Sequence, residues 1–175
     1  MKQNLIHCLG ALLLMLIISS CSQRTEADYD ALFMRAKGGD QQAFQTIRSN
    51  AEAGQSEAQL KLGSCYNSGI GVNQDVKQAI VWFRKAADQG NPRAQNNLAA
   101  CYAIGNGVGK DHTTAAKWWL KAAEQGDVSA QVFIGIAYAN GDGVKQNLLE
   151  AKRWLHKAAD KSSVEAKECL RQLGE

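Results

Sequence analysis

The chain has 175 residues, 45% of them hydrophobic, with 20 Lys and Arg against 17 Asp and Glu for a formal charge of +3. That length supports one domain with a sizeable core. A balance so near neutral argues against a nucleic-acid surface, which needs a clear basic excess.

The first element is the N-terminal stretch MKQNLIHCLGALLLMLIISSC, where Lys2 is the only charge in the first 23 residues. Leu5 to Ile18 is apolar apart from His7, Cys8 and Gly10, and small residues follow. This charged, apolar, small-residue order is that of a secretory signal over residues 1–20. A membrane-spanning helix needs about 20 apolar residues, and this run is shorter. Removing it takes away Lys2 and no acid, leaving 19 cations and 17 acids, a formal +2. Export also argues against a nucleic-acid partner. Residues 22–30 (SQRTEADYD) are polar and suit a tether, so the expected domain is 31–175.

ALFMRAKGGD at 31–40 reads as a helix, and AFQTIRSNAEAG at 43–54 as another. Three blocks then align without a gap at a period of 36: residues 58–93, 94–129 and 130–165. Ala58, Ala94 and Ala130 recur, as do Leu62, Leu98 and Ile134, and Tyr66, Tyr102 and Tyr138. So do Gly69, Gly105 and Gly141, then Gly71, Gly107 and Gly143, each followed by valine (72, 108, 144). Ala79, Ala115 and Ala151, Trp82, Trp118 and Trp154, and an Ala-Ala pair complete the pattern.

Each block reads as a helix, a glycine turn and a second helix. Ala58, Leu62 and Tyr66 fall at i, i+4 and i+8 on one buried stripe. Ala79, Phe83 and Ala86/Ala87 line the inner face of the second helix. Gly63 and Gly135 sit where helices must approach closely. Asp75, Asp111 and Asn147 stand where a side chain caps free N–H groups. AKECLRQL at 166–173 begins a fourth block that stops after one helix.

GNGVGK at 105–110 has the look of a phosphate-binding loop but fails the test. Such a loop needs Gly, four residues, then Gly-Lys and Ser or Thr. Here the position five before Gly109 is Ile104, and Lys110 is followed by Asp111. The same turn reads GIGV and GDGV in the other blocks, so it is architecture.

Among the cysteines, Cys65 and Cys101 share a slot in successive blocks, about 10 Å apart for stacked helix layers. A disulfide wants Cα atoms within about 7 Å, so both are expected as core thiols. His112 and His156 are isolated, and neither His-Glu-x-x-His nor Cys-x-x-Cys is present, so no metal or cofactor is expected. Trp82, Trp118 and Trp154 keep their place in the repeat, and Trp119 shares its slot with Phe83 and Leu155, so all four read as core rather than ligand-stacking residues.

These residues resemble the Sel1-like repeat, a relative of the tetratricopeptide repeat, with pattern A-x-x-x-L-G-x-x-Y-x-x-G-x-G-V, an acid, A-x-x-W and A-A-x-x-G. Ala99, Ile134 and Ser162 are the small departures. The resemblance implies an all-α fold, an α-solenoid of helical hairpins with three full repeats and partial capping repeats at each end. The 31–40 helix is expected as one more second-type helix. Ile18-Ser19-Ser20-Cys21 likewise resembles a bacterial lipobox, which implies acylation of Cys21 and a lipid anchor in the membrane. A plain signal peptide with an incidental cysteine is the alternative. Ser22 resembles the sorting residue of outer-membrane lipoproteins, implying a periplasm-facing protein. Some cysteine-rich relatives are linked to β-lactam binding or hydrolysis, but their paired cysteines and a Ser-x-x-Lys motif are missing here.

The remaining candidate is a surface. Opposite the buried stripe of each first helix run Leu60, Ser64 and Asn67, then Asn96, Ala100 and Ala103, then Val132, Ile136 and Ala139, with Phe133 beside the last set. In tetratricopeptide-like solenoids that face lines the concave groove. These positions differ between copies where the framework agrees, the pattern expected of a reused scaffold, and unselected surface drift is the alternative. The third set is apolar and is expected either to meet a partner or to lie under the C-terminal helix. The implied function is non-enzymatic binding of a protein or peptide. One alternative is an immunity protein against a secreted envelope-acting effector such as a type VI phospholipase. Another is a secreted factor that engages a host protein.

Overall fold

A computed structural model describes residues 24–174, so the expected signal (1–20) and Cys21 lie outside the described residues. Within them the chain is helical throughout: α1 (Glu26–Lys37), α2 (Gln41–Glu52), α3 (Ser56–Ser68), α4 (Val76–Asp88), α5 (Pro92–Ile104), α6 (His112–Glu124), α7 (Val128–Asn140), α8 (Leu148–Asp160) and α9 (Val164–Gln172). Each helix packs on the next. The full repeats are α3/α4, α5/α6 and α7/α8, preceded by the hairpin α1/α2 and closed by α9. This is the expected α-solenoid.

Local chemistry explains each boundary. The first helices end on Gly69, Gly105 and Gly141 at φ 69, 77 and 83°, left-handed values that favour glycine. The second glycine of each turn has a different task. A Cβ on Gly71 would stand 2.6 Å from Phe44 Cγ, on Gly107 2.8 Å from Val76 Cγ1, and on Gly143 2.1 Å from the His112 carbonyl oxygen. Each turn is therefore pressed onto the start of the preceding second helix, locking repeat to repeat. The second helices begin where a side-chain oxygen accepts a backbone N–H. Asp75 accepts from Gln78, Asp111 from Thr114, and Asn147 from Leu149 and Glu150. Asn91, Asp127 and Ser163 do the same for α5, α7 and α9.

The core runs continuously between the layers. Ala58, Leu62, Ala94, Leu98, Ala130 and Ile134 have no exposed surface. Gly63 faces Phe83 and Gly135 faces Leu155 so closely that an added Cβ would lie 2.6 and 2.8 Å away. Cys65 and Cys101 are buried free thiols. Burial pushes the Cys65 thiol up to about 12, since a thiolate there would lose its hydration. The aromatic of the first-helix stripe, Tyr66, is only half-buried, as are Tyr102 and Tyr138.

Two expectations about the N-terminus are corrected. The helix begins at Glu26 rather than Ala31, capped by Thr25 in a reciprocal box with Asp28. Tyr29 is buried in the first core cluster, so residues 26–30 belong to the fold and not to the tether expected over 22–30. The helix is also not of the second type. The three-residue turn at 38–40 folds it back on α2, and it lies against α3 as well, which makes it the first helix of a shortened repeat.

Candidate functional site

The groove face is built by the first helices, and a glutamine ladder holds these in register. Gln59, Gln95 and Gln131 are buried, and their amides donate to the carbonyls of Ala51, Ala87 and Ala123. Gln89 and Gln125, from the end of each second helix, donate to Gln59 Oε1 and Gln95 Oε1 at 2.7 and 2.8 Å. The third rung differs. Lys161 stands where glutamine is expected and donates to the Gly126 carbonyl at 2.7 Å, leaving Gln131 Oε1 buried without a donor among the described residues. Ser162, the next residue, takes φ 68°, the only described non-glycine residue in the left-handed region. Sequence reading passed over this ladder, although Gln follows Ala at the start of all three blocks.

At the N-terminal end the groove is walled by α1. Asp30 pairs with Lys61 and Glu26 with Arg93, and Glu57 reaches both cations at 3.7 and 3.4 Å. The Lys61 ammonium beside Asp30 holds its carboxyl below the usual range. Phe33 of α1 lines a cleft of about 440 Å³ together with Ser64, Asn67, Asn97, Ala100 and Ile104. A second, polar cleft of about 210 Å³ adjoins Leu60, Lys61, Ser64, Arg93, Asn96, Asn97, Asp127 and Ser129. The third, about 470 Å³, lies between α7 and the start of α9, lined by Val128, Ser129, Val132, Phe133, Ile136 and residues 161–165.

Most expected groove positions thus come to these clefts. Ser64, Asn67, Asn96, Ala100 and Ile136 line them half-buried, and Phe133 is 41% exposed. Ala103 and Ala139 are half-buried on the same helices but line none of the three. Leu60 is corrected, and Val132 takes the second of its two expected outcomes. Leu60, at 2% exposure, packs with Phe83 and Leu98, and Val132, at 7%, packs with Leu155 and Leu170 under the C-terminal helix. Both support the groove floor more than they offer contact. Phe33, Asn97 and Ile104 were not foreseen. Asn97 sits next to Asn96 on a helical face that a strict i, i+4, i+7 stripe leaves out.

The tryptophans divide. Trp119 and Trp154 are buried, but Trp82 and Trp118 are only half-buried, with Lys85 and Lys121 over their rings at 3.9 and 4.3 Å. Trp119 stacks on Phe133 with centroids 5.2 Å apart, fixing that ring at the groove. Among the described residues no three His, Cys, Asp or Glu side chains gather as a metal site.

Stacked helical hairpins with variable clefts along the first helices define a repeat scaffold of the α-solenoid class. The Sel1 repeat family model matches residues 56–91, 92–127 and 128–163, each two residues ahead of the corresponding 36-residue block. The chain belongs to the Sel1 repeat family. It is similar to a Sel1 repeat protein from Oxalobacter formigenes at 40% identity and TM-score 0.69, covering 73% of this chain and 96% of that one. It is also similar, at 37% identity and TM-score 0.74, to c5321, a protective antigen of uropathogenic Escherichia coli with an SLR fold. That match covers 87% of this chain but only 34% of the antigen. Cysteine rich protein B of Helicobacter pylori shares the fold at 22% identity and TM-score 0.58. No curated protein matches in sequence. Sel1 repeat proteins generally mediate protein–protein interactions and are typically non-enzymatic scaffolds.

Proposed function

We propose that this chain is a non-enzymatic binding module that holds a protein or peptide in its groove, anchored through a lipidated Cys21 and facing the periplasm from the outer membrane. The observation that carries the binding role is the contrast between framework and groove. Residues that stack the repeats recur at the 36-residue period, whereas the cleft positions change from Ser64 to Ala100 to Ile136. A scaffold that keeps its frame and varies one concave face is arranged to recognise a partner. The lipobox-like Ile18–Cys21 supports the anchor, and α1 begins at Glu26, five residues after Cys21, which holds the solenoid close to the membrane.

The test is a pull-down with residues 22–175 as bait, from envelope extract plus concentrated secreted protein, beside a Phe133→Asp bait. Phe133 is the better probe than buried Val132, whose substitution by Asp would disrupt the core. Several envelope proteins lost with the variant mean a scaffold. One stoichiometric secreted enzyme lost with it means an immunity protein. A partner indifferent to Phe133→Asp removes the groove as the site. Palmitate labelling that persists in Cys21→Ser would remove the anchor.

A further inference from the structure

The groove reading leaves the partner's chemistry open, and the charges along the first helices narrow it. Around the polar cleft stand four carboxylates, Glu26, Asp30, Glu57 and Asp127, against two cations, Lys61 and Arg93. The cations are already engaged by the first three acids. Asp127 uses Oδ1 to cap α7, and no cation among the described residues pairs with it. Asn96, lining the same cleft, keeps Oδ1 buried without a donor. With Lys161 on the Gly126 carbonyl counted as a third cation, four carboxylates face three cations here, and Asp127 is the carboxylate with a free oxygen, Oδ2.

The neighbouring cleft is the opposite in character. Val128, Val132, Phe133, Ile136 and Val164 give it an apolar side, with Lys161, Glu165 and three serines completing the lining, and Val164 stays 75% exposed. Ser129 borders both clefts, which are neighbours at the start of α7, a helix without a charged residue. From Asp127 to Phe133 is six residues, about 9 Å at 1.5 Å per residue. That distance is about three residues of extended chain.

We infer that the partner segment presents a lysine or arginine beside a bulky apolar residue, the cation meeting Asp127 and the apolar group entering the cleft at Phe133. The inference rests on the groove reading. Apolar burial supplies the anchor, and the unpaired carboxylate selects the sign of charge next to it.

A random dodecapeptide library displayed on phage, panned against the full chain purified in detergent, tests it. Individual peptides are then titrated by fluorescence anisotropy against the chain, Asp127→Asn and Phe133→Asp. Asparagine keeps the helix cap, and exposed Phe133 tolerates replacement, which thermal melts of each variant verify. The expected result is enrichment of Lys or Arg within three residues of Leu, Ile, Phe or Trp. Asp127→Asn should weaken these peptides at least fivefold, as should raising salt, and Phe133→Asp should abolish binding. Peptides that need Phe133 but are neutral or acidic, or that ignore Asp127→Asn, would overturn the inference and leave the groove standing. A library yielding no Phe133-dependent peptide would remove both.

Discussion

Gly109 and Gly143 look alike in the sequence, each a glycine in a glycine-rich turn, yet the structure gives them opposite roles. Gly109, the glycine of the Gly-Lys pair, has no neighbour within 4 Å of a would-be Cβ and no left-handed backbone. Gly143 has φ 72°, and a Cβ added to it would lie 2.1 Å from the His112 carbonyl oxygen. Gly109→Ala is therefore expected to leave the melting temperature unchanged or raise it slightly, by less unfolded-chain entropy worth about 0.4–1 kcal/mol. Gly143→Ala combines a clash with a disfavoured φ and should cost upward of about 3 kcal/mol. Comparing the two melts separates turn architecture from a phosphate-binding loop, in which Gly109 would be needed for ligand and not for stability. At this same scale Cys65 should resist thiol reagents at pH 8 until the chain unfolds, its thiolate being disfavoured by burial.

At the scale of the element, the caps decide where helices start and make stability depend on acid. Asp40 caps α2 through the Ala43 N–H, and Asp111 caps α6 through Thr114. The hydrogen bonds they accept, from the Ala43 backbone and from the Thr114 hydroxyl and backbone, hold both carboxyls below their ordinary range. A depressed folded pKa means the contribution is whole above the unfolded value of about 3.9 and is lost as pH falls through the lower, folded value. Urea midpoints should therefore be insensitive to these groups above about pH 5 and fall below about pH 4. Asp40→Asn with Asp111→Asn keeps the cap geometry without the charge and should flatten that fall. If the doubly substituted protein keeps the full acid dependence, the caps are not its source. Asp111, like Asp75 and Asn147, is legible in the sequence as a cap, whereas Asp40 closes a stretch that reads as one helix. For α1 the cap is not legible, because Thr25 and Asp28 sit in a polar run that reads equally well as tether.

For the whole molecule, stability in a stack of repeats is a sum of units and the interfaces between neighbours, so the weakest junction sets where it opens. That junction is the last. The glutamine rung is missing at Lys161, Gln131 Oε1 has no donor, and Ser162 bears a left-handed conformation that glycine bears elsewhere. The amides of α9 should exchange faster than those of α5, and Lys161→Gln with Ser162→Gly should slow them by about 1–2 kcal/mol of opening free energy. Unchanged exchange in that variant would mean α9 is limited by fraying of its own end. The same junction walls the apolar cleft, so its looseness and the groove are features of one region.

The hairpin repeat, its glycine turns, the caps Asp75, Asp111 and Asn147 and the family are all legible in the order of residues. Each of these is set by residues close in the chain and repeated in register, so three copies report on one another. Only the tertiary structure decided which groove residues reach the surface. Leu60 and Val132 share a helical stripe with Ser64 and Ile136, but their burial depends on Phe83 and Leu98 in one case and on Leu155 and Leu170 in the other. The same holds for α1, whose place follows from the docking of Tyr29, Asp30 and Phe33 on α3 rather than from any local signal. Helical periodicity specifies a direction around one axis, whereas burial and charge pairing depend on how the next axis lies against it.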